Sequence, residues 1–133
     1  MVGGEDRIEV RLELPEAVLE EESAISNQDY VLGEATPLPP DPNAMEARFV
    51  GAVTLVAVVT ISILAERILH FALARRGQGV LVDLREIPAR VTNVAGIPQG
   101  FVLIVDANGT SKLEANSAPS ALAAILRNSL RIG

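Results

Sequence analysis

The sequence predicts an α+β fold in which a small sheet, made of an N-terminal strand and a C-terminal β-hairpin, accompanies one long apolar helix and a short C-terminal helix. Three observations predict it. Arg7 to Leu14, RIEVRLEL, alternates strictly, with Ile8, Val10, Leu12 and Leu14 on one side and Arg7, Glu9, Arg11 and Glu13 on the other, the pattern of a half-buried strand. Phe49 to Ala65, FVGAVTLVAVVTISILA, runs for 17 residues without a charge. Phe101 to Val105, FVLIV, is rich in strand formers, and the turn Asp106-Ala107-Asn108-Gly109 returns the chain through Thr110 to Ala115 as its hairpin partner.

Taken in order, residues 1–36 form an acidic segment of strand and loop. Pro15 stops the first strand, Glu16 to Ser23 is a short acidic helical turn or loop, and Tyr30-Val31-Leu32 suits a second short strand. Residues 37–43 are a stiff linker, because Pro37, Pro39, Pro40 and Pro42 remove backbone donors and hold the chain extended. No basic residue adjoins them, which disfavours an SH3-type ligand. Asn43-Ala44-Met45-Glu46 has the form of a capping box, so a helix is expected over 44–76, closed by Arg75-Arg76 at its negative end and by Gly77 as a left-handed stop. At 1.5 Å per residue it would be about 50 Å long. Residues 77–133 then hold a strand at Val80 to Leu84, a loop or distorted hairpin over Glu86 to Gly100 around Val91 and Val94, the FVLIV hairpin, and a last helix. Ser117 or Ala118 caps that helix, Pro119 sits in its first turn, and Leu122, Ile125, Leu126 and Leu130 share one face.

Composition excludes several chemistries. The 133 residues offer one domain's worth of chain, and the aromatics are only Tyr30, Phe49, Phe71 and Phe101, few for base stacking or sugar binding. With no cysteine there is no disulfide, thiolate metal site or cysteine nucleophile. A Ser-His-Asp relay would have to use His70, which falls inside the apolar helix and reads as a satisfied or interfacial side chain. Residues 1–47 hold 12 Asp/Glu against two Arg, and residues 67–133 hold four against eight Lys/Arg, so the net charge of −6 is unevenly spread. That distribution lacks the dense basic stripe of a nucleic-acid binder. The start MVGGEDRIEV has neither the basic residues nor the early apolar run of an export signal.

The remaining motifs are weak. Asp106-Ala107-Asn108-Gly109 begins like a calcium loop, but Ser117 stands where the bidentate Glu is needed. Asn108-Gly109-Thr110 matches a glycosylation sequon and equally any hairpin turn, and Gly77-Gln78-Gly79 precedes a strand instead of following one. Asp83, Glu86 and Asp106 are candidates for a carboxylate site at a sheet edge, set against the plainer reading of surface charges that end strands. No catalytic, cofactor-binding or metal-ligating residue is assigned.

A helix apolar on every face must be buried on every face, either in a large core or in a membrane. The preferred expectation is a membrane span over 49–65, flanked by Arg48 and Glu66-Arg67, with Arg67, Arg75, Arg76, Arg85 and Arg90 placing the C-terminal part on the cytoplasmic side of an inner membrane. The alternative is a soluble cytoplasmic fold that buries the helix against the sheet or in an oligomer interface. RIEVRLEL speaks for the alternative, because a strand stranded across a membrane from VLVDL and FVLIV has no sheet to join.

In the order RIEVRLEL, PLPPDPNAME, a helix ending in Arg75-Arg76, and FVLIVDANGTSKLEA, the chain resembles the small effector-associated constant component of bacterial conflict systems. It departs from that pattern through the extra segment Glu86 to Gly100. The resemblance implies a non-enzymatic accessory role beside a separate effector, with a protein partner or self-association and no catalytic residues. The competing expectation is a ligand-binding or catalytic domain that works through its surface carboxylates.

Overall fold

A computed structural model describes residues 7–37, 52–114 and 118–131. The order of elements is β1 (Arg7–Pro15), α1 (Glu16–Ile25), β2 (Tyr30–Leu32), β3 (Thr36–Pro37), β4 (Ala52–Thr60), α2 (Ile61–Ala74), β5 (Gly79–Asp83), β6 (Ala89–Val94), β7 (Val102–Val105), β8 (Ser111–Glu114) and α3 (Pro119–Arg131). All eight strands join one open sheet in the order β2-β4-β1-β6-β5-β7-β8, with β3 beside β4. Among the described residues, the expected small sheet with one long helix is therefore corrected to an eight-stranded sheet with three helices.

The correction originates at residues 52–60. The long helix over 44–76, with its membrane span over 49–65, is in its described part the nine-residue strand β4 followed by the 14-residue helix α2. Six of the nine residues of β4, AVTLVAVVT, are β-branched, which costs side-chain freedom in a helix and packs well on a pleated surface. Burial alternates along the strand: Val53, Leu55, Ala57 and Val59 are buried, while Val56 and Val58 are exposed. A strand needs cover on one face only, so the small domain that cannot enclose an all-apolar helix accommodates this segment. β4 pairs with β1 over its whole length, antiparallel, from Arg7↔Thr60 to Pro15↔Ala52. The N-terminal strand thus finds its sheet. No helix of the described residues is long and apolar enough to cross a membrane, which removes the ground for the inner-membrane placement. The capping box at 43–46, most of the Pro-rich linker and the Ser117 cap lie outside the described residues.

β1 is central. It runs antiparallel to β4 and parallel to β6, and β5 in turn runs antiparallel to β6 and parallel to β7. One face of this sheet carries Val10, Leu12, Leu14, Tyr30, Val59, Val91, Val82 and Ile104, all buried with Leu19, Phe71 and Leu122 in a single core. The helices lie on that face: α1 and α2 are tied to it through Glu22, Tyr30 and Arg67, and α2 through Asn93. Buried positions of α2 are Ile61, Leu64, Ala65, Ile68, Phe71 and Ala72, a helical stripe, and Thr60 starts the helix by accepting a hydrogen bond from the Ile63 amide.

The segment Glu86 to Gly100 supplies β6 and also finishes α2. The Asn93 side-chain amide donates to the Phe71 and Gly79 carbonyls, both at 3.1 Å. The Gly100 amide donates to the Ala72 carbonyl at 2.7 Å, and the Gln99 side chain donates to the Leu73 carbonyl at 3.0 Å. Three of the last four carbonyls of the helix, those of Phe71, Ala72 and Leu73, are thereby satisfied from across the fold. Gly77 turns the chain with φ +74, as expected of it, two residues beyond the helix end at Arg75. The expected strands at Tyr30–Leu32, Val80–Leu84 and Phe101–Val105 appear as β2, β5 and β7, and the turn glycine Gly109 has φ +85.

Candidate functional site

Pairing register determines which side chains share the second face of the sheet, on which none of the described helices packs. Along β1 these are Arg7, Glu9, Arg11 and Glu13, the polar half of the alternation. Val58 and Val56 lie opposite Glu9 and Arg11 on β4, and Val31 lies opposite Val58 on β2. Arg90 and Thr92 lie opposite Arg11 and Glu13 on β6, and Asp83 lies opposite Arg90 on β5. The face therefore has an aliphatic side, where Val31, Val56 and Val58 are 49%, 39% and 37% exposed, next to a charged middle.

The charged middle is a connected network. Glu13, nearly buried, accepts from Arg90 Nε at 2.9 Å and lies 2.8 Å from Arg90 Nη2. Arg11 donates to Glu86, which also stands 3.9 Å from Arg90. Arg11 Nε is 3.4 Å from Glu13 Oε2 without the alignment of a hydrogen bond. Asp83 accepts from the Arg85 side chain at 2.9 Å through each oxygen and from the Arg85 amide at 3.0 Å. Those bonds, the side-chain ones foremost, hold the Asp83 carboxyl below its usual range, and the same pair raises the Arg85 guanidinium. Asp83, Glu13 and Glu86 are thus already engaged by arginine.

Of the candidate carboxylates, Glu86 joins the network of Arg11, Glu13 and Arg90, Asp83 lies beside it opposite Arg90 and pairs with Arg85, and Asp106 shares an ion pair with neither. Its Oδ1 accepts from the Asn108 and Thr110 amides at 2.9 and 3.0 Å and so builds the hairpin turn. Asp106 and Lys112 line a shallow cavity of about 180 Å³ between β7, β8 and α3, with Ile104, Ile125 and Asn128. His70 is exposed on α2. Among the described residues no group of three or more His, Asp or Glu is placed to hold a metal ion.

Sequence reasoning missed Arg11, Glu13 and Arg90 as partners, because β1 and β6 are more than 70 residues apart and meet only through the parallel register Val10↔Ala89 to Glu13↔Thr92. It also missed a buried triad on the helical side. Glu22, fully buried, accepts from Tyr30 Oη at 2.7 Å and from Arg67 Nε and Nη2 at 2.9 and 2.7 Å. Burial first, then the carboxylate beside it, pushes the Tyr30 phenol far up, so it stays a donor. This triad knits α1, β2 and α2 together. No protein-family model matches the chain, and neither a curated protein nor a solved structure matches it significantly.

Proposed function

We propose that this chain is a protein-binding module whose contact surface is the sheet face on which none of the described helices packs. The observation that carries the reading is the exposure of Val31, Val56 and Val58 side by side on three paired positions, flanked by the charges of β1. Aliphatic side chains in a continuous row on a sheet are left uncovered at a cost in free energy, and a polar rim beside them is the make-up of an interface. An accessory role beside a separate effector, as the resemblance implies, is the setting we propose for such a surface. A photo-crosslinking side chain at Val56 tests it in cells that naturally make the protein. Adducts are expected at Val56 and not at Leu73, on the exposed side of α2; adducts from Leu73 alone would refute the reading.

A second reading, a ligand-binding or catalytic domain that uses its carboxylates, rests on Glu13 and Asp83 being nearly buried on the same face. It requires a ligand that displaces arginine from them, since both are ion-paired. Glu13→Gln would then abolish binding of that ligand while leaving the Val56 adducts in place.

A further inference from the structure

We propose that the occupant of the open face is a second copy of this chain, packed face to face with the two β1 strands antiparallel; the inference rests on the reading of that face as the contact surface. β1 displays Arg7, Glu9, Arg11 and Glu13 on this face, so the signs run plus, minus, plus, minus. Read backwards, the series is inverted. A twofold axis lying between two such sheets, perpendicular to β1 at Val10, therefore sets Arg7 opposite Glu13 of the second copy and Glu9 opposite its Arg11, each contact occurring twice as an isologous interface requires.

The same axis acts on β4. Val10 is paired with Ala57, so the axis passes at Ala57 and sets Val56 over Val58 of the second copy. Aliphatic side chains meet aliphatic side chains, and each charge of the β1 series meets its opposite. With the axis turned along the strands, Val56 would instead face Arg90 on β6, the strand on the other side of β1. Face-to-face sheets pack about 10 Å apart with strands within about 30° of alignment, which the antiparallel arrangement meets.

Charge balance points the same way. The chain carries a net charge of −6, yet the strand positions on this face hold Arg7, Arg11 and Arg90 against Glu9, Glu13 and Asp83. This neutral patch is where two acidic copies approach without net repulsion, and a partner of uniform sign would meet repulsion at half of its contacts. Glu9, exposed at the centre of the series, has no ion-pair partner among the described residues, and the second copy's Arg11 would supply one.

The test is sedimentation velocity on the full chain up to high micromolar concentration, with two variants. Wild type should dimerise reversibly. Val58→Asp and, separately, Glu9→Arg should each weaken the dimer by roughly tenfold or more in Kd with an unchanged circular dichroism spectrum. If one of them fails to fold, the other decides. The absence of cysteine adds a register test. Chains bearing Val56→Cys, mixed with chains bearing Val58→Cys, should be joined by a short bis-maleimide linker that spans the gap between the sheets faster than either chain alone, while Leu73→Cys should not. A monomer at every concentration, a dimer indifferent to both variants, or no preference for the mixed cross-link would overturn the second-copy proposal. In each of these cases adducts from Val56 to another protein would leave the contact surface standing; their absence as well would remove both.

Discussion

Replacing Glu22 by leucine should be among the most destabilising single changes in the molecule. Its carboxylate is 0% exposed and accepts three hydrogen bonds, one from Tyr30 and two from Arg67. Glu22→Leu keeps the volume but leaves the Tyr30 hydroxyl without its acceptor and strands the Arg67 guanidinium, whose side chain is only 20% exposed. Breaking a buried pair from one side costs about 3–5 kcal/mol, and the residual exposure of Arg67 lets water reach it, so about 3 kcal/mol is expected. That is a large share of the roughly 5–15 kcal/mol by which domains are stable. Adding Arg67→Met and Tyr30→Phe removes the stranded groups and should recover most of the loss, to within about 1–2 kcal/mol of the parent. The assay is equilibrium unfolding in urea, read at unchanged slope, on the single, double and triple variants. A single variant within about 1 kcal/mol of the parent, or changes that simply add, would show that the triad is not a unit.

Three further outcomes follow from other parts of the fold. Asp83, whose folded pKa is lowered, contributes stability above the ordinary carboxylate range and loses it as pH falls through the folded value; Asp83→Asn should cost about 0.5–1 kcal/mol near neutrality, Arg85 being half exposed, and the gap to the parent should close in acid. A gap that stays constant across thermal melts from neutral to acidic pH would contradict this. Gly109→Val forces a β-branched residue to φ +85 in otherwise open space, a cost of about 1–3 kcal/mol in the unfolding midpoint, whereas Gly79→Ala should cost more because the new Cβ would stand 2.5 Å from the Phe101 and Pro98 carbonyl oxygens. Equal midpoints for the two would argue against the close approach at Gly79. Deleting residues 1–14 removes nearly all of β1, which bridges β4 and β6, and should abolish cooperative unfolding altogether; a sharp two-state melt of the remainder would place β1 at a dispensable edge.

Local pattern was enough for most of the elements. The alternation of Arg7 to Leu14, the β-branched runs at β5 and β7, the Asp106 to Gly109 turn and the apolar face of α3 are each determined within a few residues, by side-chain spacing and by φ, and so by the sequence alone. Ala52 to Thr60 is different. Apolar at nearly every position, it has no period to read, and whether it is helix or strand depends on what lies beside it. β1 decides the matter, since nine paired positions satisfy the facing backbone edges of both strands and leave only one face of β4 to bury. The site was hidden for the same reason. Arg11, Glu13 and Arg90 are ordinary surface charges until the parallel register of β1 and β6 brings them together, and Val56 and Val58 are merely apolar until the pleat turns them to the face that the helices leave uncovered. Only long-range pairing carries that information, because strand register, unlike helical periodicity, is set by a partner distant in the chain.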